Sequence, residues 1–185
     1  MRTNLIRSFV ALPLPERQRE QLAAYLAVCS LVEPGLSWVP AENLHLTLRF
    51  LGSRTPEALE ALDAQLKDLR SPSFELGLAG LSTFGGKRAR VVWLGLEVGL
   101  AAALALAGEV EEACQAIGVE PEVRRFHPHV TLARARDRRG IEVPELPAAP
   151  RLPIWTADRL VLVRSRLGSG PARYEEIGAY GLIAQ

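Results

Sequence analysis

The chain has 185 residues, of which 48% are hydrophobic and 23% are charged, a composition typical of a folded globular domain that excludes disordered, collagen-like and coiled-coil proteins. Its 22 basic and 21 acidic residues leave a net charge of +1, so any electrostatic binding site must be local. The two cysteines, Cys29 and Cys114, lack the spacing of a zinc site or a disulfide framework. No apolar run is long enough for a secretory signal or a membrane span, so we expect a cytoplasmic protein with no membrane partner.

Strand-like and helix-like segments alternate along the chain. A β-rich run at 5–12 precedes a predicted helix at 15–30, and Thr55 and Pro56 form the N-cap and first turn of a second helix. The other predicted elements are strands at 36–51, 73–84, 90–98, 128–135, 154–166 and 172–183, a helix at 99–117 and a proline-rich connection at 140–153. No linker divides the chain, so the pattern predicts one α+β domain over residues 1–185 with a mainly antiparallel sheet.

One short pattern occurs twice, in two predicted strands. His45 and Thr47 lie in Leu-His-Leu-Thr-Leu, and His129 and Thr131 lie in Pro-His-Val-Thr-Leu. Residues i and i+2 of a strand point to the same face, so each histidine shares a face with its threonine. The alternate residues of the two strands are expected to face a hydrophobic core. They are Leu44, Leu46, Leu48 and Phe50 in the first strand, and Val130 and Leu132 in the second.

If the two strands lie side by side, two imidazoles and two hydroxyls meet on one polar patch. Such a patch suits phosphoryl transfer without a metal, because one neutral imidazole can accept a proton while a protonated one donates another. The threonine hydroxyls can donate to phosphoryl oxygens, where negative charge accumulates. The alternative for each strand alone is a satisfied polar histidine beside a β-forming threonine.

A metal site is a second alternative. His127 and His129 form a His-x-His pair, but the chain shows no acidic or cysteine partner at ligand spacing, and Pro128 lies between them. We therefore expect no metal and no cofactor.

Five segments, in order, resemble the two-histidine phosphoesterases, and among them the bacterial and archaeal RNA 2′,3′-cyclic phosphodiesterases, also called 2′-5′ RNA ligases. Residues 42–52 (ENLHLTLRFLG) resemble the first signature of that family, and residues 126–134 (FHPHVTLAR) resemble its second. The other three matching segments are 7–12, 90–95 and 164–174. The resemblance extends over nearly the whole chain.

The resemblance implies a bilobal fold, in which two antiparallel sheets with outer helices surround a V-shaped cleft. It also implies hydrolysis of an RNA or nucleotide 2′,3′-cyclic phosphate to a 2′-phosphate. The same site can join a 5′-hydroxyl to the cyclic phosphate without ATP, and tRNA halves are the substrates associated with that ligation. Small cyclic nucleotides are expected substrates as well, and we expect a monomer.

Two arginines follow the histidine motifs and are candidate phosphate ligands. Arg49 shares side-chain parity with His45 and Thr47, so it can line the same cleft or, at the end of its strand, turn to solvent. Arg134 has the opposite parity from His129 and faces away unless the strand ends or bulges there.

Cations also cluster outside the two motifs. Lys87, Arg88 and Arg90 flank a glycine turn, and six arginines lie between positions 124 and 139. Together they are candidates for a local basic track for an RNA backbone. Four aromatic residues are candidates for base stacking or for the core: Phe9, Phe84, Phe126 and Tyr174.

In-line displacement at phosphorus places the entering and leaving oxygens on opposite sides, so the two histidines need different roles. We assign His129 as the proton acceptor from water and His45 as the proton donor to the leaving oxygen. A different class of function remains open, namely an RNA-end or nucleotide-binding module with little turnover. The presence of two proton-transfer groups favours the enzyme.

Overall fold

The computed structural model describes residues 4–142, 144–168 and 170–184. It contains nine strands and three α-helices, and a short 3₁₀ turn, Ala41–Asn43, precedes the third strand. The strands are β1 (Ile6–Pro13), β2 (Leu36–Trp38), β3 (His45–Arg54), β4 (Phe74–Phe84), β5 (Val91–Val98), β6 (Val130–Ala135), β7 (Trp155–Ala157), β8 (Arg159–Arg166) and β9 (Arg173–Gly181). The helices are α1 (Glu16–Val32), α2 (Pro56–Lys67) and α3 (Leu100–Ala116).

The strands form one antiparallel sheet in the order β7-β4-β5-β6-β3-β1-β8-β9, and β2 pairs with β6. The two halves of this sheet meet at β3 and β6. Among the described residues, Leu46 and Val130 form the one backbone pair between these two strands. The predicted α+β fold with antiparallel sheets is confirmed. The resemblance implied two sheets, and that single pair joins them into one. The two histidine motifs lie at this junction.

The three helices pack against one face of the sheet and form the main hydrophobic core. Helix α2 begins as predicted, because the Thr55 side chain accepts a hydrogen bond from the backbone N–H of Ala58 and Pro56 occupies the first turn. Its core residues are Leu59, Leu62 and Leu66. The opposite face of the sheet therefore remains available for polar side chains near the junction.

An irregularity in β3 changes which residues face the core. Ala11 of β1 lies opposite Thr47, but its neighbour Val10 lies opposite Arg49, so Leu48 is an extra residue in β3. Such a bulge reverses the alternation of side chains beyond it. The prediction that Phe50 faces the core is wrong for this reason: its side chain is 50% exposed, and Leu51 is buried instead.

Strand β6 is irregular as well. Trp93 of β5 is opposite Thr131, whereas Val92 is opposite Ala133, which leaves Leu132 as the extra residue. Arg134 then pairs with Val91 and lies on the same face of the sheet as Trp93. The bulge that would bring Arg134 to the face of His129 is thus present.

Candidate active site

His45 is the first residue of β3 and is fixed by two hydrogen-bonding contacts. Its Nδ1 lies 2.7 Å from the backbone oxygen of Asn43, and its Nε2 lies 3.0 Å from Oγ1 of Thr47. A carbonyl oxygen only accepts, so Nδ1 carries the proton. In the neutral ring, Nε2 then accepts a hydrogen bond from the Thr47 hydroxyl.

His129 is held in the same way immediately before β6. Its Nδ1 lies 2.6 Å from the backbone oxygen of His127, so Nδ1 donates and Nε2 has a lone pair available. In both motifs the anchoring carbonyl lies two residues before the histidine. The repeated sequence pattern therefore produces a repeated orientation of the imidazole.

The register between β3 and β6 brings the two motifs together. Because Leu46 lies opposite Val130 in an antiparallel pair, extending that register by one residue places His45 across from Thr131 and Thr47 across from His129. The two imidazoles are close enough that the charge of His129 contributes to the lowered pKa of His45. Two imidazoles and two hydroxyls thus form one compact patch.

Aromatic rings enclose both imidazoles. Phe9 stacks on His45 with centroids 4.6 Å apart, and the edge contact with Tyr174 has a centroid distance of 5.4 Å. Phe84 contacts His129 at 5.0 Å in a T-shaped arrangement and stacks on Trp93 at 4.7 Å. Three of the four aromatic candidates therefore contact a histidine ring. Phe126 packs against the main core and also lines the cavity beside His129.

Burial strongly affects the charge of the two histidines. It lowers the pKa of His45 to about 4, and the nearby positive charges of Arg134 and His129 act in the same direction. Burial also lowers the pKa of His129, as do the charges of His127 and Arg134. Removing an imidazolium from water disfavours its charged form. With no anion in the cleft, His45 is therefore neutral at pH 7.

Arg49 lines a cavity that Thr47 and His129 also line, but its guanidinium is held by acidic and backbone partners. Its Nε lies 2.5 Å from a carboxylate oxygen of Glu111 on α3, and its Nη1 lies 3.7 Å from Glu122. Its Nη2 also donates to the backbone oxygen of Glu120. The bulge at Leu48 explains this direction, because Arg49 no longer shares the face of His45 and Thr47.

Two cavities adjoin the histidines. The larger, of about 670 Å³, is lined by His129, Thr47, Phe50 and Phe84 among others. The smaller, of about 100 Å³, is lined by His45, Phe9 and Tyr174 among others. Phe50 is a site residue that the sequence analysis missed, because strict alternation assigned it to the core.

Within the residues that the structure describes, no group of three or more His, Cys, Asp or Glu side chains is placed to hold a metal ion. The ring of His127 packs against Trp93 instead, with centroids 4.8 Å apart. None of the helices in this part of the chain is both long enough and apolar enough to cross a bilayer.

Comparison with known proteins identifies one family. The model of the LigT-like phosphoesterase family matches residues 12–93 and 97–173. An RNA 2′,3′-cyclic phosphodiesterase of Geobacillus stearothermophilus is 34% identical over 187 aligned positions, which cover 95% of this chain and 57% of that protein. The Escherichia coli protein of the same name is 38% identical over 128 positions, covering 69% of this chain and 71% of that protein.

Solved structures agree with this similarity. The crystal structure of E. coli LigT complexed with 3′-AMP matches with a TM-score of 0.85 and 30% sequence identity, covering 97% of this chain and 99% of that chain. The chain thus matches the whole of the E. coli structure but little more than half the length of the Geobacillus relative.

Proposed function

Because the chain belongs to the LigT-like phosphoesterase family, we propose that it hydrolyses 2′,3′-cyclic phosphate ends of RNA, with small cyclic nucleotides as minimal substrates. The observation that carries this proposal is the pairing of β3 with β6 at Leu46 and Val130, which brings the two His-x-Thr motifs to one face. The names of the relatives from Geobacillus and E. coli support the choice of substrate.

In the proposed reaction, water attacks phosphorus in line with the bond to the 3′-oxygen. Nε2 of His129 accepts a proton from the water, and Nε2 of His45 donates a proton to the departing 3′-oxygen. One P–O bond forms and one breaks, which leaves a 2′-phosphate and a free 3′-hydroxyl. A second water restores the protonation states of the two rings, so neither a metal nor a cofactor is consumed.

His45 must be protonated to act as the acid. In the protein without substrate its imidazole is neutral at pH 7, because burial lowers its pKa to about 4. The substrate carries the compensating charge. A phosphate anion next to the ring favours the imidazolium form and raises the pKa. Substrate binding and protonation of His45 are therefore coupled in this proposal.

Thr47, Thr131 and Arg134 are the proposed ligands of the non-bridging phosphate oxygens. Each hydroxyl shares a strand face with the imidazole two residues before it, and the bulge at Leu132 turns Arg134 to the same face. Neutral donors and a guanidinium aimed at these oxygens stabilise the charge that develops in the transition state. Arg49, which the sequence suggested as a fourth ligand, instead supports the wall of the larger cavity through Glu111 and Glu122.

The larger cavity is the proposed site of the nucleoside base. Its volume of about 670 Å³ lies within the range of small-molecule pockets. Phe50 is half-exposed there, and Phe84 offers a second ring. A base stacked on an aromatic ring gains about 1–3 kcal/mol, which favours binding of nucleotides of any sequence.

The proposal extends to ATP-independent 2′-5′ ligation, because a 5′-hydroxyl in the place of water forms a 2′-5′ phosphodiester in the same step. RNA ends such as tRNA halves are the proposed substrates for that reaction. We propose that the protein is a monomer in the cytoplasm. The reducing conditions of that compartment suit its two buried free thiols.

The test is incubation of the purified protein with a nucleoside 2′,3′-cyclic phosphate in excess chelator, followed by phosphorus NMR. We expect a nucleoside 2′-phosphate as the product. A 3′-phosphate would show that the substrate binds in the opposite orientation. Binding of the cyclic nucleotide without turnover would instead favour the nucleotide-binding module.

A further inference from the structure

Two cation-rich segments that are distant in sequence form one surface. The turn between β4 and β5 approaches the segment after β6, where Ala89 and Ile141 exchange backbone hydrogen bonds of 2.8 and 2.9 Å. Arg88 adds two bonds to the backbone oxygen of Gly140, from Nε at 3.1 Å and from Nη2 at 2.6 Å. We call residues 87–90 and 134–139 together the basic surface.

A glycine makes this close approach possible. Gly140 has φ +77°, and a Cβ atom there would lie 2.7 Å from the backbone oxygen of Ala89. No L side chain fits that contact without a shift of the backbone. The two segments are thus held against each other by the main chain, which gives the cations a fixed arrangement.

The charge of the basic surface differs from that of the whole chain. It carries seven exposed cations: Lys87, Arg88, Arg90, Arg134, Arg136, Arg138 and Arg139. Its single carboxylate, Asp137, accepts a hydrogen bond from the backbone N–H of Arg139. None of the ion pairs found between described residues involves these seven cations. The surface is strongly positive although the chain has a net charge of only +1.

The basic surface is continuous with the histidine cleft at two points. Arg134 lies opposite Val91 on the face of the histidine pair, and its charge contributes to the lowered pKa of both His45 and His129. On the other side, Phe84 contacts His129 and lines the larger cavity, and the turn with Lys87 follows it directly. A polyanion with its end in the cleft would meet these cations next.

We propose that the basic surface binds the phosphate backbone of the RNA strand that leads to the terminal cyclic phosphate. This inference rests on the proposed function and adds which surface holds the RNA strand behind the terminal phosphate, so that an RNA end binds more tightly than a mononucleotide with the same end. Each phosphate neutralised by a cation releases a counterion and strengthens binding at low salt. Contacts to the backbone carry no base readout, so the preference is for length and not for sequence.

The test compares substrates of different length in variants outside the proposed catalytic machinery. Arg136→Ala/Arg138→Ala removes two charges from the basic surface. Arg17→Ala/Arg70→Ala removes two charges from exposed positions, one in the first turn of α1 and one three residues after the end of α2. This double variant serves as the matched control. KM is measured for a nucleoside 2′,3′-cyclic phosphate and for oligoribonucleotides of increasing length with the same end.

For the wild-type protein we expect KM to fall with length and then to level off. Arg136→Ala/Arg138→Ala should raise KM for the long substrate about tenfold and leave the mononucleotide unchanged. The slope of log KM against log salt should decrease by about 1.4, since single strands contribute about 0.7 for each phosphate contact. The control pair should match the wild type.

Two results would overturn the inference: a wild-type KM independent of length, or equal effects of the two double variants on the long substrate. If the wild type does not hydrolyse the mononucleotide, that result counts against the proposed function instead. In that event, fluorescence anisotropy with a labelled oligoribonucleotide that ends in a 2′-phosphate still tests the surface. Equal affinity of the two double variants for that probe would overturn the inference without any reference to turnover.

Discussion

Phe9 and His45 stack almost face to face across β1 and β3, with ring centroids 4.6 Å apart and an interplanar angle of 22°. Phe9 is buried, with 2% of its surface exposed, so one side of the imidazole is shielded from water. This burial is the main reason that the pKa of His45 falls to about 4. The protonation of His45, the proposed proton donor, therefore depends on burial by Phe9 of β1 and on the charge of the substrate in the cleft.

The first prediction concerns the protonation of His45. In the free protein, its imidazole should remain neutral until the pH approaches 4, and added 2′-nucleotide should raise this pKa because the phosphate charge favours the imidazolium. NMR titration of the histidine side chains with and without the nucleotide measures both values. Titration of His45 near 6.5 in the free protein would contradict the effect of burial.

The second prediction is the pH dependence of hydrolysis. The profile should be bell-shaped, with an acid limb where His129 becomes protonated, below the ordinary histidine value because its pKa is lowered. In the complex, where the phosphate raises the pKa of His45 above that of His129, the alkaline limb follows deprotonation of His45. It should lie at higher pH for kcat than for kcat/KM, since kcat reports the complex, in which the phosphate raises the pKa of His45. Coincident alkaline limbs would show that substrate does not affect the acid.

The third prediction separates the histidines from the threonines. His45→Ala and His129→Ala should each lower kcat by about two to four orders of magnitude while substrate binding changes little, because proton transfer is needed in the transition state. Thr47→Ala and Thr131→Ala each remove one neutral donor and should cost less. Steady-state kinetics on a cyclic nucleotide gives these values. Near-normal turnover without either imidazole would exclude the two-histidine mechanism.

The fourth prediction concerns metal ions. Hydrolysis by the wild-type protein should continue at the same rate after dialysis against a chelator and in its presence, because the proposed chemistry uses only imidazoles, hydroxyls and Arg134. His127→Ala supplies a second measurement, since loss of a metal ligand would abolish turnover whereas loss of a ring packed on Trp93 should have a modest effect. If chelation stops the reaction and added metal restores it, a site built on His127 and His129 becomes the better explanation.

The fifth prediction tests Arg49 as a positioning residue. Its side chain is 10% exposed and is paired with Glu111, which is 23% exposed. Arg49→Ala should lower the free energy of unfolding by about 1–3 kcal/mol, between the values for exposed and buried ion pairs. It should also raise KM more than it lowers kcat, because the cavity wall loosens while the proton-transfer groups remain. Thermal or denaturant unfolding and steady-state kinetics measure the two effects.

Glu111→Gln distinguishes this role from phosphate binding. If Arg49 supports the wall of the cavity, removing its carboxylate partner should reproduce the rise in KM. If Arg49 binds the phosphate directly, Glu111→Gln should leave KM unchanged or lower it. Without the carboxylate, more of the positive charge of the guanidinium is available to the phosphate.

Much of the site could be predicted from local sequence. The alternation of residues in a strand places His45 with Thr47 and His129 with Thr131, and both pairs share a face as expected. The N-cap of α2 at Thr55 and the buried leucines behind it follow from local hydrogen bonding and helical periodicity. These features depend on residues a few positions apart, so the sequence alone determines them.

The tertiary structure decided the rest, because pairing between distant strands sets which residues are in register. The extra residues Leu48 and Leu132 reverse the alternation of side chains. This reversal turns Arg49 toward Glu111 and Glu122, turns Phe50 out of the core and brings Arg134 to the face of the histidines. Nothing in the local sequence marks these bulges, since they exist only where β3 and β6 meet their partners. The shift in the pKa of His45 likewise requires burial by Phe9 and Tyr174, which lie on strands far away in sequence. Local patterns determined the reactive groups, and long-range pairing determined their surroundings and charge.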